Sequence, residues 1–98
     1  MRQYRRRDFP NEYRAWANAK ARCYNINDRN YKYYGERGIK MHPDWLDSFS
    51  AFMQHIGRKP SPELTLDRID NNKGYEPGNV RWIDRKTQQS NRNNHKKT

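Results

Sequence analysis

The feature that most constrains the fold is a strand–turn–strand pattern followed directly by a helix with almost no apolar residues of its own. Residues 64–68, LTLDR, alternate apolar and polar side chains, which is typical of a half-buried strand. Residues 70–78 contain two Gly, two Asn and one Pro and predict a turn, and residues 79–83 predict the return strand. From Asp84 the sequence DRKTQQSNRNN predicts a polar, basic helix that must lie across the hairpin.

Residues 11–62 predict a support for this hairpin, built from helices and one ordered loop. Apolar and aromatic side chains recur at helical spacing over residues 11–23 and again over residues 44–56, which predicts two helices. Asn11 is the expected N-cap of the first helix. Residues 24–38 are rich in Asn, Tyr and Gly, which indicates an ordered loop because its four Tyr give it surface to pack.

With 98 residues and an apolar fraction of 32%, the chain can form one small domain with a thin core of largely aromatic side chains. We therefore predict a single compact α+β domain with a basic arm at 1–10, a support region at 11–62, a hairpin-and-helix finger at 63–94 and a tail at 95–98. No apolar run approaches the length of a membrane span. The single Cys23 excludes an internal disulfide and a Cys-rich zinc site within one chain, and it suits a reducing cytoplasm.

The net charge of +10 is concentrated at both ends of the chain. Residues 1–22 carry seven Lys or Arg against two acids, residues 23–57 carry four of each, and residues 58–98 carry ten against five. A positive field of this kind on a small protein indicates a polyanionic partner, most often nucleic acid. Simple solubility is the alternative explanation. An anionic membrane surface is disfavoured because no helix pairs a basic face with a broad apolar one.

Side-chain chemistry at the hairpin suggests a cation site. Asp67 lies at the end of the first strand, and Gln88 lies in the first turns of the helix that follows the second strand. A hairpin followed at once by a helix brings these two points close together, and their oxygen atoms are ligands that hard cations prefer. Such a cation polarises a phosphoryl oxygen and stabilises the leaving oxygen of a phosphodiester. The alternative is a hairpin with a purely structural role.

The segment 66–92 resembles the HNH, or ββα-metal, endonuclease superfamily, and more closely the small HNH proteins of phages and free-standing homing endonucleases. LDRIDNN, GNVRW and RKTQQSNRN hold the places of the motif of that family. Segments 13–23, 33–39 and 45–52 also resemble the phage subfamily, so the resemblance covers most of the chain. It implies a ββα-metal finger packed on two N-terminal helices and, for a phage protein, action in the host cytoplasm.

The resemblance implies a single Mg²⁺ or Mn²⁺ ion at this site. Asp67 matches the acidic ligand of the family, Gln88 falls where the helix supplies its His or Asn ligand, and Asn91 is the fallback ligand one turn further on. Asn79 matches the central Asn that ties the finger loop in place and helps to hold the catalytic histidine. Trp82 matches the Trp that anchors the second strand in the core.

Position 68 departs from the family, because Arg68 stands where the family has the histidine that activates water. Arginine stays protonated near neutral pH and cannot act as a general base, but Arg68 can bind or neutralise a scissile phosphate. Water activation then falls to Asp70, to the bound ion or to His95. The more ordinary role for Asp70 is to cap the turn through an Asx-type hydrogen bond.

The residues predicted to contact DNA lie in the arm, the connector before the hairpin, the second strand and the last helix: Arg5, Arg6, Arg7, Arg58, Lys59, Arg81, Arg85, Lys86 and Arg92. The Tyr-rich loop at 31–34 either stacks on unpaired bases or packs inside the protein. The sequence thus predicts a divalent-metal-dependent DNA endonuclease or nickase that acts on duplex DNA as a monomer or homodimer. The alternative is a catalytically degenerate HNH-fold module that binds DNA or a host protein, and an RNA-binding protein is a third possibility.

Overall fold

The computed structural model describes residues 3–84, which form a small α+β fold. Within this range, helices precede a two-stranded antiparallel hairpin. The helices are α1 (Pro10–Tyr24), α2 (Pro43–Leu46) and α3 (Phe49–Ile56), and the strands are β1 (Thr65–Arg68) and β2 (Val80–Ile83). The loop between α1 and α2 contains the 3-10 turns Tyr31–Tyr33 and Gly35–Arg37. No helix in the part of the chain that the structure describes is long and apolar enough to cross a membrane.

Both predicted helices differ in their boundaries from the helices of the structure, and the residues at the helix starts explain the differences. α1 begins at Pro10, because the fixed φ of proline suits the first helical position and its missing N–H needs no partner there. The prediction of Asn11 as N-cap is therefore wrong. The second predicted helix is interrupted, since α2 ends at Leu46 and the Ser48 side chain accepts a hydrogen bond from the Ala51 amide at 3.0 Å to cap α3. The apolar stripe thus runs over two short helices instead of one.

The basic arm packs against the support region from Tyr4 onward. The Tyr4 amide donates a hydrogen bond to Ser50 Oγ at 3.2 Å, and the Tyr4 ring lies 5.3 Å from the ring of Phe9. Both rings pack against the margin of the core, so the arm buries more than its composition predicts. The three arginines of the arm that are predicted to contact DNA are exposed: Arg5, Arg6 and Arg7.

The core lies between the helices and one face of the hairpin and is largely aromatic. Trp16 Nε1 donates a hydrogen bond to the Trp45 carbonyl at 2.9 Å, which joins α1 to α2. Phe52 and Met53 are fully buried, and the Phe52 ring meets Trp45 edge to face with 5.4 Å between ring centroids. The other members of this cluster are Ala19, Cys23, Ile39, Met41, Phe49, Tyr75 and Val80. Large rings thus supply the buried area that a chain with few aliphatic residues needs.

The hairpin has the predicted antiparallel pairing. Leu66 lies opposite Trp82 on the face that packs against the core, and Asp67 lies opposite Arg81 on the other face. Trp82 Nε1 donates a hydrogen bond to the Gly57 carbonyl at 2.8 Å, which anchors β2 to the end of α3. The predicted C-terminal helix and tail lie outside the described residues, together with the candidates Arg85, Lys86, Gln88, Asn91, Arg92 and His95.

The turn between the strands, called the finger loop below (residues 70–78), is docked on the extended segment that precedes α2. The Tyr75 amide donates to the Lys40 carbonyl at 2.8 Å, and the His42 amide donates to the Tyr75 carbonyl at 2.7 Å. Gly74 makes this crossing possible, because a Cβ at that position would overlap the Lys40 carbonyl oxygen. The finger loop is therefore held by the support region as well as by its own strands.

Candidate functional site

Asp67 and Arg68, the central residues of the predicted site, line one cleft of about 550 Å³. β1 supplies one wall of this cleft. Arg22 of α1 and Tyr33 and Tyr34 of the following loop supply the other wall. The cleft thus combines a carboxylate, two guanidinium groups and aromatic rings, which suit a cation and a nucleic-acid strand.

An ion pair across the hairpin holds the Asp67 carboxylate. Its Oδ2 accepts a hydrogen bond from Arg81 Nε at 3.0 Å, and the Asp67 side chain is 11% exposed against 39% for Arg81. The two residues are directly opposite each other on β1 and β2, so the strand register fixes this contact. Arg81, a predicted DNA contact, therefore balances the charge of the predicted metal ligand and orients its carboxylate.

Asp67 suits a hard divalent cation as one oxygen ligand. Mg²⁺ is commonly bound through one or two carboxylates together with substrate phosphates and water. Within residues 3–84, no group of three His, Cys, Asp or Glu side chains is placed to hold a metal ion. The predicted co-ligands Gln88 and Asn91 lie outside that range. Among the described residues, Asp67 is therefore the side chain that would ligate the ion, and a substrate phosphate would supply a further oxygen ligand.

Arg68 is built into the finger loop, a role that its position in the motif does not suggest. The residue is 9% exposed, and its Nη1 donates to the carbonyls of Asn71 at 2.8 Å and Lys73 at 2.7 Å. Its guanidinium carbon lies 4.9 Å from the ring centroid of Tyr34 and 5.5 Å from that of Tyr75. Both of these hydrogen bonds use Nη1 of the guanidinium, which carries five N–H donors in all.

Asn79 closes the finger loop from the inside. It is 5% exposed, its Oδ1 accepts a hydrogen bond from the Asp70 amide at 2.7 Å, and its Nδ2 donates to the Asp70 carbonyl at 3.2 Å and the Gly74 carbonyl at 2.8 Å. These bonds tie the loop in the way that the resemblance implies. The second implied role, holding a histidine, has no histidine at position 68 on which to act. What the structure shows for Asn79 is therefore the closing of the finger loop.

Asp70 occupies the turn-capping role. Its Oδ1 accepts a hydrogen bond from the Asn72 amide at 2.9 Å, which forms an Asx turn. The residue is exposed, so its carboxylate also reaches solvent. Its role as the acceptor of a proton from water stays a prediction.

A second guanidinium, that of Arg22, shares an aromatic cluster with Arg68. The Arg22 guanidinium carbon lies 5.5 Å from the Tyr34 ring centroid, and the rings of Tyr34 and Tyr75 are stacked at 6.4 Å. Burial and the neighbouring Tyr34 raise the pKa of Tyr75 to about 12, although Arg22 and Arg68 act in the opposite direction. The Tyr75 hydroxyl is therefore neutral near physiological pH and does not compensate the charge of the two arginines. The ring partners of Arg22 come from segments distant in sequence, so helical spacing alone does not predict them.

The connector before β1 carries two further predicted DNA contacts. Arg58 is exposed. Lys59 donates its backbone N–H to Glu12 Oε2 at 3.0 Å, and its ammonium lies 5.7 Å from the Trp82 ring centroid. The buried Glu12 carboxylate thus attaches the connector to α1, and Lys59 lines a groove beside that helix.

Cys23 lies close to the same two arginines and is expected to be unreactive in the folded protein. Burial raises the pKa of its thiol from an ordinary 9.0 to about 11, although Arg68 and Arg22 lower it. We therefore expect iodoacetamide to label the native protein roughly a hundredfold more slowly than the urea-unfolded protein, measured by mass spectrometry at mildly alkaline pH. Equal labelling rates would show that the thiol is accessible in the folded protein.

The raised pKa of Cys23 also makes stability depend on pH. Because the folded pKa is raised, the neutral thiol stabilises the fold fully below pH 9.0 and loses this effect as the pH rises through about 11.

No family model, curated protein or solved structure matches the chain. The HNH resemblance therefore stays a prediction from motifs, and the function has to be inferred from the geometry of the cleft. That geometry places the Asp67 carboxylate in one cleft with the guanidinium groups of Arg22 and Arg68.

Proposed function

We propose that the protein is a divalent-metal-dependent DNA endonuclease or nickase of the HNH type, which hydrolyses phosphodiester bonds. The observation that supports this proposal most directly is that Asp67 and Arg68 line one cleft together with Arg22. A carboxylate is a ligand for a hard cation, and guanidinium groups attract a phosphate and the charge that develops on it during cleavage. DNA as the ligand also accounts for the net charge of +10.

The charged residues of the cleft, Asp67, Arg22 and Arg68, take two roles in this proposal. Asp67 holds the divalent ion, and Gln88 or Asn91 completes the set of protein ligands. When bound, the ion polarises the phosphoryl group and stabilises the leaving oxygen. Arg22 and Arg68 bind the phosphate and stabilise its negative charge through groups that are already fixed in place by the tyrosine rings.

The attacking water must lose a proton, and Arg68 cannot accept it because a guanidinium stays protonated. Asp70 is an exposed carboxylate on the finger loop whose Oδ1 is engaged by the Asn72 amide at 2.9 Å, and its second oxygen serves as the acceptor in this proposal. A carboxylate is a weaker base than the histidine of the family near neutral pH. We therefore expect slow cleavage.

Supercoiled plasmid separates cleavage from binding. With Mg²⁺ or Mn²⁺ the protein is expected to convert the plasmid to open circles, and EDTA is expected to stop the conversion. A gel shift without open circles, even at excess protein, would contradict the nuclease proposal. Linear plasmid that forms without an open-circle precursor would indicate a homodimer that cuts both strands.

A second candidate function is DNA binding without cleavage, for example by a phage protein that also engages a host protein. Arg68 favours this second function. It stands where the family has its water-activating histidine, and its Nη1 donates to the carbonyls of Asn71 and Lys73. Such a site keeps the positive charge of the cleft and lacks the family's base. It predicts a gel shift that does not depend on metal.

A further inference from the structure

A groove of about 480 Å³ lies between α1 and the connector that leads into β1, next to the cleft. Arg22, Thr65 and Leu66 line both the groove and the cleft, so the two are neighbouring parts of one depression. Arg14 and Asn18 extend the α1 wall of the groove. The function proposed above uses the cleft and assigns no role to the groove.

The α1 wall of the groove is positively charged and regular. Arg14, Asn18 and Arg22 follow one another at four-residue steps, which places them along one line of the helix. Eight residues of helix separate the two arginines by roughly 12 Å along the axis, so the two side chains can contact separate phosphates of one strand. Asp67 is the one acidic residue among the described side chains that line the groove and the cleft. This wall therefore suits a row of phosphates.

The opposite wall of the groove is more apolar than the α1 wall. Pro62, Leu64 and Leu66 line it together with Lys59 and Thr65, and Leu66 continues into the cleft. Tyr33, which lines the cleft, is 54% exposed, and the Lys32 ammonium lies 5.1 Å from its ring centroid. Duplex DNA presents phosphates at its surface but keeps the faces of its bases stacked inside. A single strand presents both phosphates and base faces, which is what a basic wall, an apolar wall and an exposed ring together recognise.

We propose that the groove and cleft bind a single strand of DNA, with its phosphates along Arg14 and Arg22, its bases against the wall formed by Leu64 and Leu66, and one base stacked on Tyr33. This inference rests on the proposed function, because it takes DNA as the ligand. It specifies the substrate as DNA in which the strand that enters the cleft beside Asp67 is unpaired.

Fluorescence anisotropy tests this inference without cleavage when EDTA is present. The probes are a fluorescein-labelled oligothymidylate of about 12 nucleotides and a duplex of the same length. The single strand is expected to bind more tightly than the duplex. Tyr33→Leu is expected to weaken single-strand binding about tenfold, whereas Tyr33→Phe keeps the ring and is expected to bind as the wild type does.

Charge variants give a matched comparison. Arg14→Gln and Lys40→Gln each remove one positive charge from an exposed side chain, but only Arg14 lines the groove. Arg14→Gln is expected to weaken single-strand binding several-fold more than Lys40→Gln and to flatten its dependence on salt. Circular dichroism of each variant confirms that the fold is kept.

Two results would overturn the inference: duplex bound as tightly as the single strand, or Tyr33→Leu and Arg14→Gln indistinguishable from Lys40→Gln. Either result leaves plasmid nicking untouched as evidence for the nuclease. Conversely, single-strand binding that shows the expected pattern without any metal-dependent nicking overturns the nuclease proposal and keeps the strand-binding groove.

Discussion

Asp67→Asn is expected to lower metal-dependent plasmid nicking at least about a hundredfold, because it removes the charged oxygen ligand on which the cation depends. Asparagine is close to aspartate in shape and its carbonyl oxygen can still accept the hydrogen bond from Arg81 Nε, which measures 3.0 Å in the wild type. The pair is partly exposed, so the free energy of unfolding is expected to change by less than about 1 kcal/mol. Lost nicking with retained stability would separate the role of Asp67 in cleavage from any role in folding.

Glu76→Gln is the matched control for this variant. Glu76 is an exposed carboxylate on the finger loop, and its substitution removes the same charge as Asp67→Asn. Nicking by Glu76→Gln is expected to equal that of the wild type. Asp70→Asn adds a separate test, because it keeps the Oδ1 that accepts from the Asn72 amide and removes only the proposed proton acceptor. Nicking by Asp67→Asn at the rate of Glu76→Gln would remove Asp67 from the reaction.

Arg68→Met is expected to lower the free energy of unfolding by about 2–4 kcal/mol, measured by urea denaturation. The substitution removes two charge-assisted hydrogen bonds, to the carbonyls of Asn71 at 2.8 Å and Lys73 at 2.7 Å. It also removes the guanidinium from its place over the Tyr34 and Tyr75 rings. Methionine has a similar length and fits the apolar part of the site, so the effect reports mainly the lost polar contacts.

Arg58→Met controls for the loss of a positive charge, because Arg58 is exposed and its substitution is expected to change the free energy of unfolding by less than about 0.5 kcal/mol. Arg68→Lys separates structure from phosphate binding. Lysine keeps the charge but cannot span two carbonyls as a guanidinium does, so this variant is expected to lose stability and to retain most DNA affinity. An Arg68→Met protein as stable as Arg58→Met would show that Arg68 does not hold the finger loop.

Local patterns were sufficient to predict the hairpin. The alternation in LTLDR and the turn residues after it act over a few positions, and the register places Leu66 opposite Trp82 on the core face. The prediction of one helix from residue 44 to residue 56 joined segments that the structure separates, because the Ser48 cap competes with a continuous apolar stripe. A cap of this kind is visible in sequence as a serine before an apolar run, and it outweighs periodicity here.

The role of Arg68 depends on contacts between distant segments, which sequence patterns do not specify. Its aromatic partners are Tyr34, which lies in the loop after α1, and Tyr75, which lies in the finger loop. The motif alone predicted a phosphate ligand at position 68, whereas the structure adds a loop-holding role through two carbonyls. The groove beside α1 likewise lies between distant segments, with Arg14 and Arg22 on one side and Pro62 and Leu64 on the other.

The most direct test of the proposed metal site is an anomalous-scattering map from crystals of the protein grown with Mn²⁺. One peak is expected within about 2.2 Å of an Asp67 carboxylate oxygen, and no peak is expected there in crystals of Asp67→Asn. A map without density at Asp67, or with the same peak in wild type and variant, would contradict the account of this chain as a metal-dependent nuclease.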